Sequence, residues 1–351
     1  MAASMNAFYD SLSEQERASV QDVALEYGRQ VPYRRLLSAK NASASPYYVG
    51  LSSGMESFTH VTKRVVLVAD TMLLSEHGTG AVHQLGYSPS EARTGDLYGG
   101  GDLAFTTIQN RLYGMVTKDI GELGQWLLNA EPLLRSGLVW YCPVKIYGES
   151  VSQSDLDREP VEFPPLPSFS DRSIDFLVEH GRAVDLSRAK PLASRVVRPI
   201  LEIDLPFING LSLSDFAQVT SQEFDSYTQY RDFMRSRLLE LDDALEAVDS
   251  QVALERIALT IRDELSAATA EINKAARSRA LIRSGAVLGS TSAVLAAVRP
   301  EALHGALATS ATLAAGATGL WPTIQAFADI KPKRAHGKWH YIWVLQKKAA
   351  R

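Results

Sequence analysis

The stretch Lys63 to Leu74, KRVVLVADTMLL, decides the fold class. After two basic residues it is a short, almost continuous apolar run rich in Val, the pattern of a strand buried on both faces. Strands of that kind sit in sheets covered by helices, so the run predicts an α/β or α+β domain around it.

Working back toward the N-terminus, Ser38 to Ser57 is polar and Ser-rich and reads as a loop. Before it, Leu12, Val20, Val23, Ala24 and Tyr27 recur loosely at helical spacing. Ser13 with Glu16 three residues later has the spacing of a capping box, which predicts a helix near 13–30.

Forward of the run, residues 75–102 are dominated by Gly, Ser, His and Asp and end in Gly99-Gly100-Gly101, the composition of a long mobile connection. Asp102 to Leu134 reads as helical, weakened by Gly114, Gly121 and Gly124. Leu138 to Tyr147, LVWYCPVKIY, reads as a second strand, with Pro143 marking a bulge or an edge. Residues 149–170 are acidic and Pro-rich, Ser173 to Val184 reads as a short helix, and Val196 to Ile208 as an edge strand interrupted by Pro199.

Beyond Gly210 the character changes. No Gly or Pro occurs until Gly285. Met234, Leu238, Leu241, Leu245, Val248 and Val252 step by four and three, a heptad seam. A second seam, out of register with the first, runs from Leu254 through Ile257, Ile261 and Leu265 to Ala275. Asp249-Ser250 between them suits an N-cap. Two amphipathic helices follow, about 212–248 and 250–283, folded as a hairpin; one unbroken helix of about 100 Å is the alternative.

Two low-charge segments come next, Ser284 to Val298 and Gly305 to Ala328, separated by Arg299-Pro300-Glu301. Gly285, Gly289, Ala293 and Ala297, and then Ala311, Ala315 and Gly319, repeat small residues every fourth position, a spacing that lets helices approach closely. The second segment is long enough to span a bilayer at about 1.5 Å per residue, but its Ala, Gly, Ser and Thr supply little apolar gain. A buried hairpin is expected, with docking on a membrane or conditional insertion as alternatives.

The tail from Lys331 to Arg351 carries seven basic residues and no acidic ones. Trp339, Tyr341, Trp343 and Leu345 alternate, which is strand periodicity. Aromatics beside Lys331, Lys333 and Arg334 also have the composition of an interfacial anchor, so these residues are the expected membrane or partner contact.

Charge is segregated along the chain. Residues 201–272 hold 5 basic and 15 acidic side chains, whereas residues 273–351 hold 12 and 2, and the formal net charge of the whole is -4. This asymmetry speaks of fields and partners rather than of fold. With 46% hydrophobic and 22% charged residues, wholesale disorder and a polytopic membrane protein are excluded. The one cysteine, Cys142, excludes an internal disulfide framework. No basic segment followed by an apolar core opens the chain, so the cytoplasm is the expected compartment, with peripheral attachment to a membrane.

The chain carries no phosphate loop, dinucleotide fingerprint, nucleophile elbow or HExxH helix, and no cofactor or metal is expected. One cluster has catalytic chemistry. Asp70 closes the apolar run, and His77 and His83 follow in the Gly-rich segment with Glu76 and Asp102 near them. A carboxylate with two imidazoles suits acid–base work.

The chain thus divides into an α/β-type domain (1–148), a Pro-rich linker or excursion (149–170) and a short helix with an edge strand (171–208). A long amphipathic helical hairpin (211–283), an apolar Ala/Gly-rich helical hairpin (284–330) and a basic aromatic tail read as a strand (331–351) complete it. The fold class is α+β or α/β at the N-terminus, followed by a mainly α-helical C-terminal region. The expected function is that of a non-enzymatic interaction protein. Its C-terminal helices would engage a protein partner or an anionic membrane surface, not nucleic acid. The alternatives are a hydrolase-like enzyme with its site in 70–102, and a structural homo-oligomer joined through 211–283.

Overall fold

The computed structural model describes residues 2–31, 33–78, 80–96, 104–152, 173–203, 205–246 and 338–349. Four helices come first: Ala2–Ser11 (α1), Glu14–Ala18 (α2), Val20–Gln30 (α3) and Tyr33–Ala42 (α4). Strand Tyr48–Ser53 (β1) leads through a 3-10 turn to Phe58–Val65 (α5) and Thr71–Glu76 (β2). Two long strands, Ala81–Asp96 (β3) and Ala104–Thr117 (β4), precede Ile120–Asn129 (α6), Glu131–Ser136 (α7), Val139–Tyr141 (β5) and Val144–Ser152 (β6). Then come Phe176–Glu179 (β7), Arg182–Asp185 (β8), Pro191–Glu202 (α8), Pro206–Asn209 (α9), Leu213–Gln222 (α10), Phe224–Glu246 (α11) and Lys338–Ala349 (α12).

The N-terminal region is an α/β domain with a mixed sheet. Its five strands run in the order β5-β2-β1-β7-β8, and only the β7–β8 pair is antiparallel. Strands β1 and β2, buried almost throughout, sit at the centre of this sheet, where both faces are covered. On one face Tyr27, Phe58 and Trp126 gather around Tyr141 with ring centroids 5.8–6.2 Å apart. The Tyr27 hydroxyl also donates to the Tyr141 carbonyl at 2.7 Å. A second, antiparallel sheet has the order β3-β4-β6.

Residues 63–74 belong to two elements rather than one strand. Lys63, Arg64 and Val65 finish α5, Val66 to Ala69 turn on helical hydrogen bonds, and β2 begins only at Thr71. Val65 to Ala69 and Met72 to Leu74 are both apolar because helix end and strand are both buried, and burial alone does not distinguish them. Lys63 and Arg64 are buried as well. Lys63 Nζ donates to the carbonyls of Ile208 and Leu211 at 2.8 Å, and Arg64 to those of Ile200 and Ile203.

Within the expected mobile connection over 75–102 and the helix from 102, residues 81–96 and 104–117 are instead the paired antiparallel strands β3 and β4, and 79 and 97–103 lie outside the described residues. Bulges between Gln84 and Gly86 and between Ser90 and Ala92 interrupt the alternation that would have marked β3. The helical reading holds from Ile120 to Leu134, as α6 and α7. LVWYCPVKIY is cut at Pro143, with β5 in one sheet and β6 in the other. Of the expected linker, 149–152 complete β6, and 153–170 lie outside the described residues.

The short helix read over 173–184 is the β7–β8 hairpin, closed by His180 and Gly181 at φ +50° and +77°, the left-handed pair of a two-residue turn. The edge strand read over 196–208 is α8 with α9. Ala193, Val196, Val197, Ile200 and Leu201 bury one helical face, and Pro199 is accommodated inside α8. The helix near 13–30 is two, parted at Ser19, and the Ser13–Glu16 capping box is present.

The long helix from 212 breaks at Glu223 into α10 and α11. Of the first seam, Leu238 is buried with Met234 packed against the same core, so this part serves the domain's own packing. The second seam, the hairpin expected over 250–283 and the low-charge hairpin of 284–330 lie outside the described residues. The tail's strand reading is corrected to helix from Lys338, where Tyr341, Ile342 and Leu345 bury one helical face.

Candidate functional site

Strands β1, β2, β5 and β7 point the same way, so Ser53, Glu76, Tyr141 and Glu179 end on one edge of the sheet. The chain moves from β1 to β2 and β5 and then returns to the far side of β1 at β7. In open α/β sheets ligands bind beyond the carboxyl ends of the strands at such a reversal, which makes this edge the place to look for a site. The Ser53 carbonyl accepts the His77 N–H here at 3.2 Å, and the Ser53 hydroxyl donates to the Gly54 carbonyl at 3.3 Å.

Glu76 is the chemically distinctive group of this edge. Its residue is 5% exposed, and its carboxylate accepts the Lys118 backbone N–H at 2.8 Å. Burial raises its pKa above the ordinary Glu value, and repulsion from Glu56 adds to this. The nearby Thr117 hydroxyl, the bond from the Lys118 N–H and the Lys118 charge offset part of the rise. A cavity of about 30 Å³ adjoins the carboxyl, lined by Gly78 and Gly80 between β2 and β3 and by Val116 and Val144 of the second sheet. It has room for water. Lys118 Nζ lies 3.7 Å from Glu56, but both side chains are about two-thirds exposed, so water screens the pair. A buried acid beside a water-sized cavity can hold and transfer a proton. Among the described residues no three His, Cys, Asp or Glu side chains gather as a metal site.

Asp70 is elsewhere. It precedes β2 at its amino end, whereas His77 follows its carboxyl end, a separation of roughly 20 Å along the strand. Asp70 accepts from the Ser45 hydroxyl at 2.6 Å and from Arg235 at 2.7 Å, with Arg231 at 3.4 Å. Burial alone would raise its pKa, but the Ser45 bond and the two guanidinium groups outweigh burial and hold it below the ordinary Asp value. Asp70 therefore fastens α11 to the α/β domain. His83 lies in β3, in the other sheet from β2, and the catalytic cluster read from the sequence is not assembled. His77 Nδ1 and His83 Nε2 are buried and make no hydrogen bond among the described residues. Asp102 lies outside those residues.

Of the expected membrane or partner contacts, Lys331, Lys333 and Arg334 lie outside the described residues, and Trp339, Tyr341 and Trp343 fall in α12. Tyr341 is fully buried. Its hydroxyl pairs with Thr220 Oγ1 at 2.8 Å, and its ring lies 5.6 Å from Tyr227 and 5.8 Å from Tyr230. It fastens α12 to α10 and α11 and offers no outward surface. His340 Nε2 meets Glu223 at 3.2 Å and Lys348 Nζ meets Asp215 at 3.2 Å, adding two polar ties. No helix among the described residues is long and apolar enough to cross a membrane.

Reading the sequence overlooked Glu76 as the principal group and Arg231 and Arg235 altogether. Glu76 had a signal, an acid at the carboxyl end of the apolar TMLLS segment. The arginines had none, because their partner lies more than 160 residues away. No family model matches the chain, and neither a curated protein nor a solved structure matches it.

Proposed function

We propose that this is a non-enzymatic interaction protein in which the α/β domain anchors residues 247–337, and that this stretch engages an anionic membrane surface. The supporting observation is the pair of anchors. Before this stretch α11 is fastened by Arg235 to Asp70, and after it α12 packs its Tyr341 against Tyr227 and Tyr230 of α11. Residues 273–351 hold 12 basic and 2 acidic side chains and include two uncharged, small-residue segments, a composition that suits an anionic, partly apolar surface. A proton-holding group at the sheet edge does not by itself make an enzyme, since Asp70 and the two histidines are not brought together.

Flotation of the full chain with vesicles of neutral phospholipid, and with vesicles containing anionic phospholipid, tests the proposal. The protein should float with the anionic vesicles at low salt. It should dissociate as salt approaches 1 M, where the screening length falls to about 3 Å. Absence of flotation at low salt would reject the membrane surface and leave a protein partner as the occupant to seek.

A further inference from the structure

The two sheets of the domain share a joint at the end of β2. Glu76 is the last residue of β2, Thr117 the last of β4, and Lys118 follows it. The Glu76 carboxylate holds the Lys118 N–H at 2.8 Å, so one side chain bridges the five-stranded sheet to the base of the three-stranded one. Gly78 and Gly80 carry the chain from β2 to β3 with the small cavity beneath them. A side chain at Gly80 would collide with the Thr117 carbonyl, so the crossing needs glycine there.

We propose that Glu76 is a proton-controlled joint between the two sheets: neutral, it holds β2 to the end of β4; ionised, it draws water into the cavity and loosens that contact. A neutral carboxyl keeps the Lys118 N–H on its carbonyl oxygen and carries its proton on the other oxygen, so the contact is held without a buried charge. An ionised carboxylate at 5% exposure lacks water, and local opening supplies it. The charged groups facing it are Glu56 from the 3-10 turn, which disfavours ionisation, and Lys118 from the β4–α6 junction, which favours it. His77 adjoins it in the chain, with its N–H bonded to Ser53. The inference is independent of the membrane proposal, because every group in it lies within the α/β domain and the base of the second sheet.

Hydrogen–deuterium exchange on the full chain, corrected for the intrinsic pH dependence of amide exchange, provides the test. In the wild type the amides of residues 115–118 should lose protection as pH rises from about 4 to about 8. The loss should reach about tenfold for each unit by which the folded acid exceeds its ordinary value. Glu76→Gln should abolish this slope. Glu56→Gln, an exposed change that leaves the joint in place, should move its midpoint to lower pH. The proposal is overturned if the wild type shows no slope, if Glu76→Gln retains it, or if Glu56→Gln leaves the midpoint where it was.

Discussion

Arg235 bonds Asp70 at 2.7 Å across 165 residues of chain, and its guanidinium lies 4.0 Å from the centre of the Tyr47 ring. The same guanidinium donates to the Val68 carbonyl at 2.6 Å. One side chain thus ties α11 to the turn before β2 and to the segment before β1. The local geometry explains why an aspartate at the amino end of a central strand is structural here, since ligands gather at the opposite, carboxyl end.

Asp70→Ala should therefore lower the stability of the domain by about 1–3 kcal/mol, because two partly buried guanidinium groups lose their carboxylate. Urea denaturation measures it. The folded pKa of Asp70 is depressed, so its stabilisation is present above the ordinary Asp value of about 3.9 and disappears as pH falls through the folded value. The difference between variant and wild type should close in strong acid.

For Glu76 the sign is reversed. Its folded pKa is raised, so between the ordinary Glu value of about 4.3 and the folded value the native state binds more protons than the unfolded chain. Stability falls as pH rises through that window. Glu76→Gln should remove this term and melt above the wild type at neutral pH, as thermal denaturation across the same range would show. A variant that melts lower at neutral pH would contradict the assignment.

Tyr341 offers a graded test of the α12 anchor. Tyr341→Phe removes the bond to Thr220 and should cost about 1 kcal/mol. Tyr341→Ala also empties a fully buried site between Tyr227 and Tyr230 and should cost about 3–5 kcal/mol. Limited proteolysis near residue 338 should accelerate in the same order.

Two glycines of α6 should respond in opposite ways. A methyl group at Gly124 would collide with the Val20 carbonyl, so Gly124→Ala should destabilise by about 1–3 kcal/mol as α3 is pushed away. At Gly121 the nearest atom stands at 3.2 Å and belongs to the Asp119 side chain. Gly121→Ala should be neutral or stabilising by up to about 1 kcal/mol, the usual helical preference for Ala over Gly. Thermal midpoints of the two variants, compared directly, check the contrast.

These glycines show how far the amino-acid sequence could be read. Gly121 and Gly124 count against a helix by propensity, yet Gly124 is where two helices touch. Trp339, Tyr341 and Trp343 alternate as in a strand, but three or four residues fit both periods, and the buried Tyr227–Tyr230 surface selects the helix. Pro199 argued for an edge strand until the amphipathic spacing around it was met by a core to cover it.

The residues by themselves determined what burial and local bonding dictate. Among these features are a buried apolar run within 63–74, the Ser13–Glu16 cap, and helical character over 120–134 and 213–246. Only the tertiary structure decided where KRVV ends as helix and TMLL begins as strand, and which acid is an anchor and which can hold a proton. The reason is physical. Hydrophobicity and capping act within a few residues, whereas the desolvation of Glu76 and the pairing of Asp70 with Arg235 depend on groups that approach only when distant parts of the chain pack together.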